Sequence, residues 1–82
     1  MSYEFRGMRA SDQMMRELNT YIKDGVPPCS FLQSVISNDL IGAVNNADDY
    51  NMSVIPAYVA YLFNKAPMQC WATKEKMEAW IK

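Results

Sequence analysis

The stretch from Phe31 to Ala47 constrains the fold most, because it is long, apolar and interrupted by a carboxylate where a soluble helix should be greasiest. At about 100° per residue, Phe31, Leu32, Val35, Ile36, Leu40, Ala43 and Ala47 fan across one half of a helix, and Asp39 and Asn46 project from within that half. The spacing predicts one long helix from about Ser30 to Ala47. A carboxylate on its apolar side needs a partner, since an unpaired buried charge costs several kcal/mol. Asp39 then either accepts hydrogen bonds from a neighbouring helix end or side chain, or faces a ligand or a second subunit.

Three further helices follow from caps and breakers. Ser11 or Asp12 caps a first helix with Met14 or Met15, Leu18 and Tyr21 or Ile22 at helical spacing, and Gly25 stops it. Val26-Pro27-Pro28 is an extended turn, and Ser30 with Gln33 matches the capping box that opens the long helix. Asp48-Asp49-Tyr50-Asn51 breaks that helix. Ser53 caps a third, with Pro56 in its first turn and Ile55, Val59 and Leu62 as its core stripe. Ala66-Pro67 ends it, and Thr73 caps a last short helix with Met77, Trp80 and Ile81 on its apolar face. Residues 1–10 have no clear period and read as an arm anchored by Tyr3 and Phe5. With no strand signal, the expected fold is a single all-α domain over residues 1–82, a compact bundle of about four short helices with the second the longest.

A chain of 82 residues buries only about 60% of the surface its unfolded form exposes, so its stability margin is thin. No apolar run approaches the roughly 18 residues of a membrane span. The first residues lack the basic flank and apolar stretch of a signal peptide, so a cytoplasmic location is expected. Cys29 and Cys70 are expected as free thiols in or near the core. There is no histidine, which removes Ser-His-Asp and Cys-His pairs and the usual zinc clusters. A net charge of −1 argues against tracking a long nucleic acid, whose affinity comes from several displaced counterions. A small anion remains open. Between Cys29 and Asn64 there is no Lys or Arg, so any positive pocket must draw on Arg6, Arg9, Arg16, Lys23, Lys65, Lys74, Lys76 or Lys82.

Three constellations invite a functional reading, each with a plain structural one beside it. Asp39 and Asn46 either read polar edges of a ligand between helices, such as those of guanine, or Asp39 caps another helix or accepts from the indole of Trp71 or Trp80. Tyr58, Tyr61 and Lys65, at i, i+3 and i+7, form a platform for a base and its phosphate or an ordinary amphipathic boundary. The start of the last helix offers free N–H groups, Thr73, Lys74 and Lys76 to an anion, with Trp71 to stack above it. A simple N-cap explains Thr73 equally well, and Glu75 opposes an anion. Asp48, Asp49 and Asn51 lack the order of a calcium loop. No metal, cofactor or enzyme motif is indicated.

From Gly25 onward, the order Gly25-Val26-Pro27-Pro28, Phe31-Leu32, Asn38-Asp39-Leu40, Ala47-Asp48, Pro56, Tyr61-Leu62-Phe63-Asn64, Ala66-Pro67, Trp71 and Glu78-Ala79-Trp80-Ile81 resembles a family of short proteins encoded by tailed phages and prophages. The resemblance covers about two thirds of the chain. It implies a non-enzymatic protein that counters bacterial immunity, one mode being a sponge that traps the cyclic di- or trinucleotide signal of a CBASS-type defence. Base edges would then fall to Asn38, Asp39 or Asn64, stacking to Tyr58, Tyr61 or Trp71, and phosphate to Lys65, Lys74 or an arm arginine. Two other classes stay open: a decoy that binds a host defence complex, and a structural or assembly accessory. Ile41 and Val44, apolar yet outside the main face of the long helix, point to a homo-oligomer.

Overall fold

The structure, a computed structural model, describes residues 3–81; Met1 and Ser2 of the expected arm, and Lys82 among the chain-end cations, lie outside the described residues. The rest of the arm is a hairpin. β1 (Glu4–Phe5) pairs antiparallel with β2 (Met8–Arg9), Glu4 opposite Arg9 and Phe5 opposite Met8. Arg6 and Gly7 form its two-residue turn with φ of 52° and 81°, the left-handed pair whose twist matches tight hairpins. Strands of two residues have no alternation to reveal them in a sequence. Tyr3 packs edge-on against Tyr61 with ring centroids 5.0 Å apart, and the Tyr50 hydroxyl donates to the Arg9 carbonyl.

α1 (Asp12–Asp24) follows its caps as expected. Ser11 Oγ accepts from the Met14 N–H at 3.4 Å, and Gly25, at φ 70°, donates its N–H to the Tyr21 carbonyl. α2 (Ser30–Ile36) begins in the expected place without the capping box. Gln33 Nε2 instead donates to the Pro28 carbonyl at 2.8 Å, and Glu17 of α1 accepts from the Cys29 N–H at 2.8 Å.

The long helix expected over residues 30–47 is two helices. Asn38 takes φ 65°, which Asn tolerates better than most residues. The Asn38 N–H returns to the Val35 carbonyl and the Asp39 N–H to the Ser34 carbonyl, the paired bonds of a Schellman stop. Asp39 then opens α3 (Leu40–Asn46), its Oδ1 accepting from the Gly42 N–H at 3.0 Å. The carboxylate that periodicity placed among apolar groups is exposed. Gly42 makes this cap possible, because a Cβ there would collide with the Asp39 carboxylate.

The expected turn after it contains α4 (Asp49–Ser53), capped by Asp48, whose Oδ1 accepts from the Asn51 N–H at 2.7 Å. Ser53 does not cap the next helix; its hydroxyl turns back to the Tyr50 carbonyl at 2.6 Å. α5 (Ile55–Lys65) starts from Val54, with Pro56 in its first turn. A 3-10 turn over Met68–Cys70 leads to α6 (Lys74–Trp80), where Thr73 Oγ1 accepts from the Lys76 N–H at 3.1 Å. Helix, the 3-10 turn included, makes up 67% of the described residues and strand 5%, so the all-α class stands. The count of about four helices becomes six among the described residues, and the longest is α1, not the second.

One apolar core joins α1, α2, α5 and α6 through Met15, Leu18, Leu32, Ile36, Leu62 and Met77. The stripe expected for α5 is turned. Leu62 is buried with Ala57 and Tyr58, whereas Val59 is 49% exposed and Ile55 half-buried. Tyr58 enters the core because its hydroxyl finds partners there, donating to Asn51 Oδ1 at 2.6 Å and accepting from the Ser11 N–H at 3.0 Å. Tyr21 is buried likewise, donating to the Cys70 carbonyl at 2.6 Å. Among the described residues no helix is long and apolar enough to cross a membrane.

Candidate functional site

With Tyr58 and Leu62 turned inward, Ile55, Val59 and Phe63, four residues apart, form an outward apolar stripe on α5. Phe5 of the hairpin and Trp71 after the 3-10 turn stand beside it. Between them runs a groove of about 600 Å³, lined by Phe5, Pro56, Val59, Phe63, Asn64 and Trp71 among others, within the span of roughly 300–1,000 Å³ usual for ligand pockets. Val59 also lines a smaller depression that reaches the α2–α3 turn at Asn38, Asp39 and Leu40. Trp71, Asn38 and Ala72 line a third, adjoining hollow with Val59.

The groove walls are aromatic and its polar groups few. Phe63 meets Trp71 edge-on with centroids 6.2 Å apart, while itself remaining 72% exposed. The Arg6 guanidinium carbon lies 5.2 Å from the centre of the Phe5 ring, within cation–π range, which sets a cation at the hairpin end. The buried indole Nε1 of Trp71 has no hydrogen-bond partner among the described residues, a condition that costs about 1–3 kcal/mol for a buried donor. The Ala72 N–H donates to the Ile36 carbonyl at 2.8 Å, and Ala72 holds φ 93°, so strained backbone lies next to Trp71.

The residues singled out from sequence separate into two groups. Asn38, Asp39, Asn64 and Trp71 line the groove and its adjoining hollows. Tyr58 is wholly buried and offers no ring face to a ligand; burial pushes its phenol up from the ordinary value and keeps it a donor to Asn51. The Tyr61 hydroxyl donates to Asn19 Oδ1 at 2.6 Å and its ring packs on Tyr3. Lys65 and Lys74 are exposed and are not among the residues lining these hollows. Asn46 is spent on its own helix, donating to the Gly42 carbonyl at 2.9 Å. Phe5, Val59 and Phe63 are site residues that the sequence reading does not pick out, and Arg6 enters it only as one of the arm arginines. The Ile55, Val59, Phe63 spacing carries that signal, but apolar residues at helical spacing read as core, which hides it.

Asp39 caps its own helix, not a distant one, and neither tryptophan serves it: Trp80 Nε1 donates to the Tyr21 and Ile22 carbonyls at 3.0 and 3.1 Å. Asn caps a helix about as well as Asp. Asp39→Asn should therefore leave the thermal melt nearly unchanged, and Asp39→Ala should cost about 1 kcal/mol. Equal losses in the two variants would show that the charge, and not the cap, is what matters.

The thiols are unpaired, Cys29 half-buried and Cys70 buried. Burial pushes both up from the ordinary cysteine value, the reverse of what activates a nucleophilic thiolate. Among the described residues no three Cys, Asp or Glu side chains gather to hold a metal ion. The chemistry on offer at the groove is stacking and amide hydrogen bonding, with one guanidinium outside its lining, against the Phe5 ring. Comparison with known protein families, with characterised proteins and with solved structures finds no match to this chain.

Proposed function

We propose that the chain is a non-enzymatic binding protein that takes a cyclic di- or trinucleotide into the α5 groove and holds it without cleaving it. The groove and its surroundings support this reading: an aromatic and aliphatic floor with the Asn64 amide, the Asn38 amide in the adjoining hollows, and Arg6 over the Phe5 ring at the hairpin end. Bases stack on aromatic faces with about 1–3 kcal/mol each. Amides discriminate base edges, and a guanidinium forks onto phosphate oxygens. In the phage setting that the resemblance implies, such sequestration withdraws a defence signal from the cytoplasm of an infected bacterium.

Calorimetry with a panel of cyclic nucleotides tests the reading. One member of the panel should bind more tightly than about 10 µM, roughly 7 kcal/mol, and should return chemically intact after heat denaturation of the complex. No binding at that level would reject the sponge, and a linear product would reveal an enzyme.

One observation favours a second reading. The groove lining carries no charged side chain and Phe63 is 72% exposed, as suits an apolar segment of a host defence protein that the chain would occupy as a decoy. A blank nucleotide panel together with a stable complex on a purified defence protein would establish it.

A further inference from the structure

α3 is poorly covered for a helix of its composition. Of its apolar side chains Ala43 is buried, while Leu40, Ile41 and Val44 are 68%, 77% and 40% exposed. These three lie within about 100° of arc and form a ridge. A seven-residue helix is not held by its own backbone bonds and depends on packing. The ridge exposes apolar surface on the order of 300 Å², the lower end of the size of the largest patch on a typical monomer, which is often functional.

We infer that this ridge docks on a second copy of the chain, the α3 of each copy crossing the mouth of the other's α5 groove. Ridge and groove share one face of the molecule, since Leu40 lines the same depression as Ile55 and Val59. A two-fold axis between them sets each ridge on the other copy's groove, the reciprocal contact that an isologous interface requires. Charge selects the same occupant. Residues 40–46 and 54–64 contain no Asp, Glu, Lys or Arg, so the ridge and the α5 flank bring no like charges together, Asp39 being the one charged residue that lines the depression between them, and a charged partner would find little counter-charge there. Area agrees with the contact extending past the ridge. A stable dimer covers about 800 Å² per copy, more than the ridge supplies alone, and the exposed Val59 flank of the groove continues the apolar surface.

The self-association stands on the apolar face; its part in closing the groove over a ligand rests on the binding reading above. Sedimentation equilibrium across the micromolar range should give twice the 9.4 kDa monomer mass. Ile41→Lys should weaken the dimer about a hundredfold or more, because symmetry buries the new charge twice, and should keep the circular dichroism of the wild type because the site is solvent-facing. A wild-type monomer throughout, or an Ile41→Lys variant with the wild-type mass, overturns the inference. A monomer that still binds a cyclic nucleotide sinks the dimer and leaves the ligand reading intact, whereas an Ile41-dependent dimer that binds none supports the dimer and removes the ligand.

Discussion

Tyr58→Phe should lower the stability of this protein by about 2–4 kcal/mol, a large part of the ~5–10 kcal/mol available to a domain of this size. The hydroxyl joins three elements: it donates to Asn51 Oδ1 of α4 at 2.6 Å and accepts from the Ser11 N–H at the start of α1 at 3.0 Å. Removing it strands the carbonyl of the buried Asn51 side chain, and desolvation of an unpaired polar group costs more than the net worth of the bond itself. The ring fills the same space in Phe, so no cavity opens and the change isolates the polar term. At about 4–8 °C per kcal/mol for a small domain, the melting midpoint should fall on the order of 10–25 °C. A double-mutant cycle with Asn51→Ala should show strong coupling. A midpoint within a few degrees of wild type would mean that the core holds without this network.

Three helix ends were legible because each is set by a single residue at a single N–H, whereas Ser30 and Ser53 do not cap as their types suggest. Ser11, Gly25 and Thr73 stand where their residue types placed them. The division at Asn38 was also written in the chain, since Ser37-Asn38-Asp39 pairs a residue suited to a left-handed stop with one suited to opening a helix. Apolar periodicity across Phe31–Ala47 is continuous through that break, so the period concealed the punctuation. The hairpin left no pattern beyond Gly7, as two-residue strands rest on tertiary contacts of Tyr3 and Phe5.

The groove was half legible for a related reason. Asn38, Asp39, Asn64 and Trp71 are polar or aromatic residues at element ends, where a sequence reading looks for contacts. Phe63 and Val59 were hidden because apolar residues at helical spacing are assigned inward by default. Which stripe of α5 turned inward depended on Asn51 and Ser11 satisfying Tyr58, two partners that lie 7 and 47 residues away in sequence. No periodicity within α5 encodes them. Once Tyr58 is buried, Phe63 must face out, and the rotation of one helix converts an expected core stripe into a groove wall.

Phe63→Glu should consequently cost binding while sparing the fold. The side chain is 72% exposed, so its replacement on the helix surface should shift stability by no more than about 0.5 kcal/mol. A ligand in the groove loses one stacking face, about 1–3 kcal/mol, and meets a carboxylate where an anionic nucleotide would lie. On the proposed nucleotide-binding reading, affinity should fall by about 30-fold or more, equivalent to roughly 2 kcal/mol. Measuring Ile41→Lys in parallel separates this from assembly: a loss through the groove exceeds the loss caused by breaking the dimer, and a loss through assembly alone does not. Unchanged affinity in Phe63→Glu, with the melt preserved, would place the ligand elsewhere on the molecule.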